Sequence, residues 1–363
     1  MPRNARHPLT AALPSLRRSA ARRPEARHIQ RLTPTALLAS TFKIDVMMKK
    51  YLFTLLAAIL AATTTLPMAA EARTAYAVEK DSTLTFYYDT QQDERGGTVY
   101  EVPTNEKQWA TWNGTFSEPN ITIKWVVFDT SFADFRPAST DLWFFYCTSL
   151  TAVKGIQNLN TSQVTNMFSM FDGCRSLQAF DASSLDTRNV TNMSSMFSSC
   201  HSLQELNLSG LDTRNVTSMS GMFLGCTSLR ELDLTSFDTR NVTSMLYMFS
   251  GCDALQEIDV SNFDTGNVTD MSSMFSDCNA LRALDLSGFN TANLTKTSEM
   301  FMNCKALKAI YSNSDWSQSG KVTESKDMFR GCTRLAGAMP YNDSQVDITM
   351  ANPTKGYLRS IAQ

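Results

Sequence analysis

Eight cysteines stand at Cys147, Cys174, Cys200, Cys226, Cys252, Cys278, Cys304 and Cys332, and the central intervals between them are all 26 residues. A fixed period of about 20–50 residues restricts a chain to stacked or arrayed repeats, because one unit cannot bury its own apolar face. The unit beginning at Met219 shows the pattern. Met219, Met222, Phe223 and Cys226 fall at i, i+3, i+4 and i+7, the spacing of one helix face. Asn166, Asn192, Ser218, Ser244 and Asp270 precede such runs and are good N-cap types, whereas Lys296 breaks that column. After each run Leu232 and Leu234 alternate with Asp233 and Thr235, which predicts a short strand with one inward face. A turn over Phe237–Asn241 follows, and Val242 returns to the core.

The fold class expected from these periods is an α/β solenoid, a curved leucine-rich-repeat stack of strand–turn–helix units with a β-rich amino-terminal cap. Curvature is expected because strands pack about 4.8 Å apart while helices need nearly 10 Å. Strands would then line the inner face. The organisation reads as an upstream extension over 1–46, a signal peptide over 47–72, a cap over 73–140, the repeats over 141–335 and a terminal cap over 336–363.

Repeats such as Leu284-Asp-Leu-Ser-Gly-Phe-Asn-Thr291 and Asp270-Met-Ser-Ser-Met-Phe-Ser-Asp-Cys278 resemble the BspA-like leucine-rich-repeat surface proteins, and more narrowly their mycoplasma lipoprotein-like branch. Phe86-Tyr-Tyr-Asp89, Arg95-Gly-Gly-Thr-Val-Tyr100 and Val127-Phe-Asp-Thr-Ser-Phe-Ala-Asp134 look like the amino-terminal cap of that family. Asp315-Trp316 and Asn352-Pro-Thr-Lys-Gly-Tyr357 look like its carboxy-terminal cap. The resemblance implies a secreted or surface-exposed bacterial protein that binds macromolecules of a host or of neighbouring cells. Members commonly carry an anchor after the repeats, and this sequence shows none before Gln363.

Most of the repeated columns read as packing. Twelve of the nineteen methionines fall on two columns facing the next coil, which assigns them to the core rather than to a binding groove. An even number of cysteines in a secreted chain usually suggests disulfides. Here, however, the thiols share the inward face of Met and Phe and point the same way, whereas a disulfide needs Cβ atoms about 3.8 Å apart and turned towards each other. They are therefore expected to be a structural ladder of buried free thiols. Asn189, Asn215, Asn241, Asn267 and Asn293, with threonines at the same period, read as turn residues bonding backbone rather than as glycan acceptors.

The acidic columns differ. Asp181, Asn207, Asp233, Asp259 and Asp285 should point outward from successive strands, and like charges on adjacent strands are destabilising. They are the candidate partner-binding residues, fitted to a basic surface or a cation; the plainer reading is a solvated face relieved by Arg230 and Arg282. A second column, Asp186, Asp212, Asp238 and Asp264, stands beside Arg188, Arg214 and Arg240 and suggests ion pairing between coils.

The amino-terminal region reads as an address. Lys49 and Lys50 precede an apolar run over 51–62, and Ala70-Glu71-Ala72 offers a cleavage site before Arg73. The run is shorter than the ~20 residues a membrane span needs, so the mature chain is expected to have none. Translation starting at Met47 or Met48 would make 1–46 an artefact of the reading frame. Residues 73–363 hold 22 basic and 32 acidic side chains, a balance that argues against nucleic acid as a partner. His201 is the lone histidine of that body, and no phosphate loop, nucleophile elbow or metal-ligand cluster occurs. The expected function is a protein- or glycan-binding, adhesin-like scaffold, exported and extracellular or on the cell surface. It is expected to use no cofactor and no catalytic residues; a calcium- or glycan-binding repeat protein is the alternative.

Overall fold

The computed structural model describes residues 46–52, 54–55, 72–104 and 108–361. The chain divides into two units, Met1–Ala70 and Glu71–Gln363. In the first, 46–52 and 54–55 are helical and exposed. The remainder of the expected extension and apolar leader, with Ala70 and Glu71 of the cleavage site, lies outside the described residues. No described helix is long and apolar enough to cross a membrane.

The second unit opens on a hairpin. Asp81 and Ser82 both take left-handed backbone, φ 50° and 62°, the turn geometry that matches strand twist. It folds β1 (Thr74–Lys80) onto β2 (Thr83–Asp89). With β3 (Thr98–Glu101), β4 (Trp125–Phe128) and β5 (Ala152–Lys154) they form one sheet in the order β3-β1-β2-β4-β5. β1 is antiparallel to both neighbours, while β2, β4 and β5 run parallel. Phe86 centres its core, stacked on Phe128 at 4.7 Å and on Trp143 at 5.5 Å.

The expected repeat helices do not form. Among the described residues of 141–335 each Met-x-x-Met-Phe-x-x-Cys run is a ladder of overlapping turns. The N–H of Met222 donates to the Met219 carbonyl at 3.2 Å, Leu224 to Gly221 at 3.1 Å and Cys226 to Phe223 at 3.1 Å. The alternate N–H groups leave the coil: Met219 donates to Ser244, Gly221 to Leu246, Phe223 to Met248 and Gly225 to Ser250, at 2.7–3.3 Å. A helix would have spent these donors four residues back within its own segment. Left-handed residues every fourth position reverse the winding, at Gly221 and Gly225 (φ 63° and 71°) and at Ser195 and Ser199 one coil earlier (φ 56° and 55°). The i, i+3, i+4, i+7 side chains still face inward, so the apolar period is the one a helix would have shown.

Two further expectations change with that finding. The presumed cap column, Asn166 to Lys296, instead forms a chain of parallel bridges from coil to coil. Lys296 does not weaken it: its ammonium pairs with Glu324 at 3.1 Å. The reason for strong curvature also disappears. Phe171, Phe197, Phe223, Phe249 and Phe275 stack ring on ring at 5.5–6.2 Å, so this side repeats at nearly strand spacing rather than at helix spacing.

On the opposite side, β6 (Ala179–Asp181) pairs in parallel with β7 (Glu205–Asn207), and β8 (Ala283–Asp285) with β9 (Ala309–Tyr311) and then β10 (Leu358–Arg359). The corresponding segments 231–233 and 257–259 have no assigned strand. Buried Tyr357 closes the far end with its ring edge on Phe329 at 5.4 Å, and Trp316 stacks on Phe289.

Candidate functional site

The strand face gathers three of the five predicted acidic-column residues into one place. Asp233, Asp259 and Asp285 line an open groove of about 520 Å³ with Glu231, Glu257, Leu232 and Ile258. Glu231 and Glu257, two residues before each Asp, belong to the site and escaped the sequence reading; their recurrence at the 26-residue period was the available signal. Asp181 and Asn207 lie outside the groove on the paired strands β6 and β7. Arg230 and Arg282 form no ion pair with the column among the described residues.

Strand pairing follows the charges. Where β6 meets β7, Ala179 faces Glu205 and Asp181 faces Asn207, whose amide donates to the Asp181 carboxylate at 2.9 Å. Where β8 meets β9, Ala283 faces Ala309 and Asp285 faces Tyr311. Between them the period sets Glu231 against Glu205 and Glu257, and Asp259 against Asp233 and Asp285. Like charges directly opposite oppose pairing, and there the ladder lapses.

Each column residue also anchors the turn that follows it. Its Oδ1 accepts the backbone N–H two residues on: Ser183 for Asp181, Ser209 for Asn207, Thr235 for Asp233, Ser261 for Asp259 and Ser287 for Asp285, at 2.9–3.1 Å. The side chains and then the backbone N–H groups of Ser183 and Ser261 hold the carboxyls of Asp181 and Asp259 below the usual range, and the Thr235 N–H, then its hydroxyl, does the same for Asp233. The carboxylates are thus fixed, ionised and exposed. Among the described residues no group of three acidic, thiol or imidazole side chains is placed to hold a metal ion.

The second acidic column pairs within coils, not between them. Arg188 Nε reaches Asp186 at 2.8 Å, Arg214 Nε reaches Asp212 at 2.9 Å, and Arg240 grips Asp238 through Nε and Nη2 at 2.9 and 2.8 Å. Two residues of separation around a tight turn bring the groups together, whereas the coil boundary is bridged by other side chains. Buried Thr213 donates to the Asp238 carbonyl at 2.9 Å and accepts the Asp238 N–H at 2.7 Å. Asn241 Nδ2 donates to the Arg214 carbonyl at 2.7 Å, and Asn189, Asn215, Asn267 and Asn293 repeat that bond at 2.7–2.8 Å.

The family described as "Mycoplasma protein of unknown function, DUF285" matches residues 140–257 and 230–341, more than half of the chain. The chain belongs to the DUF285 family. No curated protein matches it. This DUF285 chain is also similar to a crystal structure of a leucine-rich cell surface protein from Faecalibacterium prausnitzii, at 16% identity over 75% of this chain and 94% of that one. Its TM-score of 0.23 is too low to carry a structural argument.

The matched region of this DUF285 chain contains the whole thiol ladder, Cys147 to Cys332, and every thiol is buried and free. Cys226 donates to the Phe197 carbonyl at 3.2 Å, and Cys174, Cys200, Cys252, Cys278, Cys304 and Cys332 make the same bond to Phe144, Phe171, Phe223, Phe249, Phe275 and Phe301. Burial pushes the Cys147 thiol up to about 12 and raises Cys174, Cys226, Cys252 and Cys278 well above the ordinary value. Low-pKa nucleophile chemistry is the opposite case. His201 is exposed on the coil surface, with the Thr227 hydroxyl on its backbone carbonyl at 3.1 Å.

Proposed function

We propose that the protein is a non-catalytic solenoid scaffold, exported to the extracellular or cell-surface side, whose acidic strand face takes up a basic segment of another macromolecule. One observation carries the reading. The strand ladder lapses where Glu231, Asp233, Glu257 and Asp259 stack, an arrangement that disfavours folding and is relieved elsewhere by Asn207 and Tyr311. A basic partner would neutralise the stacked carboxylates, while partly exposed Leu232 and Ile258 would supply apolar contact. Repetition supports a binding surface over a reaction centre, since an active site is a singular constellation. Export rests on the Lys49-Lys50 leader pattern and on the resemblance to surface repeat proteins, with cleavage placed before Arg73.

The test is capture of surface and matrix proteins by the full chain, compared with an Asp233→Asn, Asp259→Asn variant. A partner held by the acidic face is retained by the parent, released by moderate salt and lost from the variant. Equal retention by both would remove the acidic face from the reading. Sequencing the amino terminus of exported protein should begin at Arg73.

A further inference from the structure

Two open grooves of about 640 and 610 Å³ lie on consecutive coils beside the Asp–Arg turns, and they share Gly210, Asp212, Arg214 and Asn215. They are therefore one channel crossing three coils, outside the acidic strand groove. Each coil brings the same Asp–Arg–Asn set to it: Asp186, Arg188 and Asn189, then Asp212, Arg214 and Asn215, then Asp238, Arg240 and Asn241.

The arginines are not explained by stacking. Columns that hold coils together run on past this region: the asparagine bond to the preceding coil continues at Asn267 and Asn293, and the threonine bond continues at Thr265. The arginine column stops after Arg240, with Gly266 and Ala292 at the next two positions. Arginine is thus confined to the three coils that form the channel.

The groups are also held ready. Tying Nε to the neighbouring Asp fixes each guanidinium plane, while 68–70% of the arginine side chain stays exposed. Among the described residues the Nη1 nitrogens have no partner. The Asn215 and Asn241 amides are anchored through Nδ2, which leaves each Oδ1 as a fixed acceptor. Charge selects the class of ligand. Arg188, Arg214 and Arg240 pair with Asp186, Asp212 and Asp238, so the charges lining the channel cancel and it has no net attraction for a polyanion or a polycation. What it offers is alternating donors and acceptors repeated about every 4.8 Å along one line. A chain of neutral hydroxyl-bearing units of comparable length matches both the chemistry and the repeat.

We infer that this channel binds a linear neutral polysaccharide along the direction of coil stacking, one Asp–Arg–Asn set per sugar unit. The experiment is titration of the full-length protein against linear oligosaccharides of increasing length, neutral and uronic-acid-containing in parallel. Expected is retention of neutral oligomers, with affinity rising up to the length that spans three sets and then levelling. An Arg188→Gln, Arg214→Gln, Arg240→Gln variant should bind roughly tenfold more weakly, because each Gln amide replaces only part of the guanidinium's donor set. Gly266→Arg supplies a gain-of-function arm: a Cβ there would meet only side-chain ends, the Asp264 carboxylate at 3.1 Å and the Asn290 amide at 3.6 Å, and Asp264 already accepts the residue-266 N–H at 2.9 Å. It should strengthen binding of longer oligomers only. The inference is overturned by retention of uronic oligomers alone, or by no neutral oligomer retained. Gly266→Arg without effect on a bound oligomer would overturn it as well. Asp233→Asn with Asp259→Asn should leave oligosaccharide binding unchanged; a loss there would move the sugar to the strand face and also overturn the channel.

Discussion

Asn207 donates its side-chain amide to the carboxylate of Asp181, one coil earlier, at 2.9 Å. That single neutral residue in an acidic column coincides with the parallel pairing of β6 and β7. Its counterparts Asp233 and Asp259 face like charges and lack such pairing.

Asp233→Asn with Asp259→Asn should therefore let the ladder extend through 231–233 and 257–259. The turn bonds survive, since Asn207 already accepts the Ser209 N–H through its own Oδ1 at 3.1 Å. Amide hydrogen exchange should slow in both segments, with unfolding stability unchanged or higher. Asp233→Ala, which removes the turn acceptor, should lower it.

The same pair sets the acid behaviour. Hydrogen bonds from Thr235 and Ser261 hold the Asp233 and Asp259 carboxyls below their ordinary range, so their stabilisation is complete above about pH 4 and fades as pH falls further. Denaturation curves between about pH 5 and about pH 2 should show a larger loss for the parent than for the double Asn variant.

Phe223 lies fully buried between Phe197 and Phe249, at 6.2 and 5.7 Å. Phe223→Ala should cost about 3–5 kcal/mol and Met222→Ala about 2–5 kcal/mol by opening a cavity between coils. Chemical denaturation with an unchanged m-value would confirm that stability, not compactness, had changed.

Asn241→Asp replaces a donor to the Arg214 carbonyl with a carboxylate, putting acceptor against acceptor. The expected cost is about 1–3 kcal/mol, larger than for Asn241→Ala, which lets water reach the carbonyl. Equal effects would show that the coil boundary does not depend on this bond.

The thiols predict an alkaline limit. Burial favours the neutral thiol in the folded chain, pushing Cys147 up to about 12, whereas an unfolded cysteine ionises near pH 8.5. The unfolded state then binds fewer protons, so stability is complete below about pH 8.5 and declines as pH rises towards 12. Thermal unfolding under reducing conditions should shift downward across that window, and thiol reagents should react only after denaturation.

The repeat could be read without coordinates because its columns are exact in period. Met219, Met222, Phe223, Cys226 and Val242 are each wholly buried, as an inward face requires. The acidic column was visible for the same reason, as a charge recurring where packing gives no reason for it. Glu231 and Glu257 were less visible, because their significance lies in meeting across a coil boundary.

By itself the sequence determined the 26-residue period, the apolar columns and the unbalanced charge of the body, all properties of spacing along one chain. The tertiary structure alone decided between helix and turn ladder. Both bury positions i, i+3, i+4 and i+7, and they differ only in where the N–H groups of residues such as Gly221 and Phe223 find acceptors. Those acceptors are Leu246 and Met248, on the next coil. A donor whose partner is supplied by a neighbouring repeat leaves no mark on the local apolar pattern. The same holds for the Asp–Arg pairs, whose partners are set by the turn that closes around them rather than by the column in which they recur.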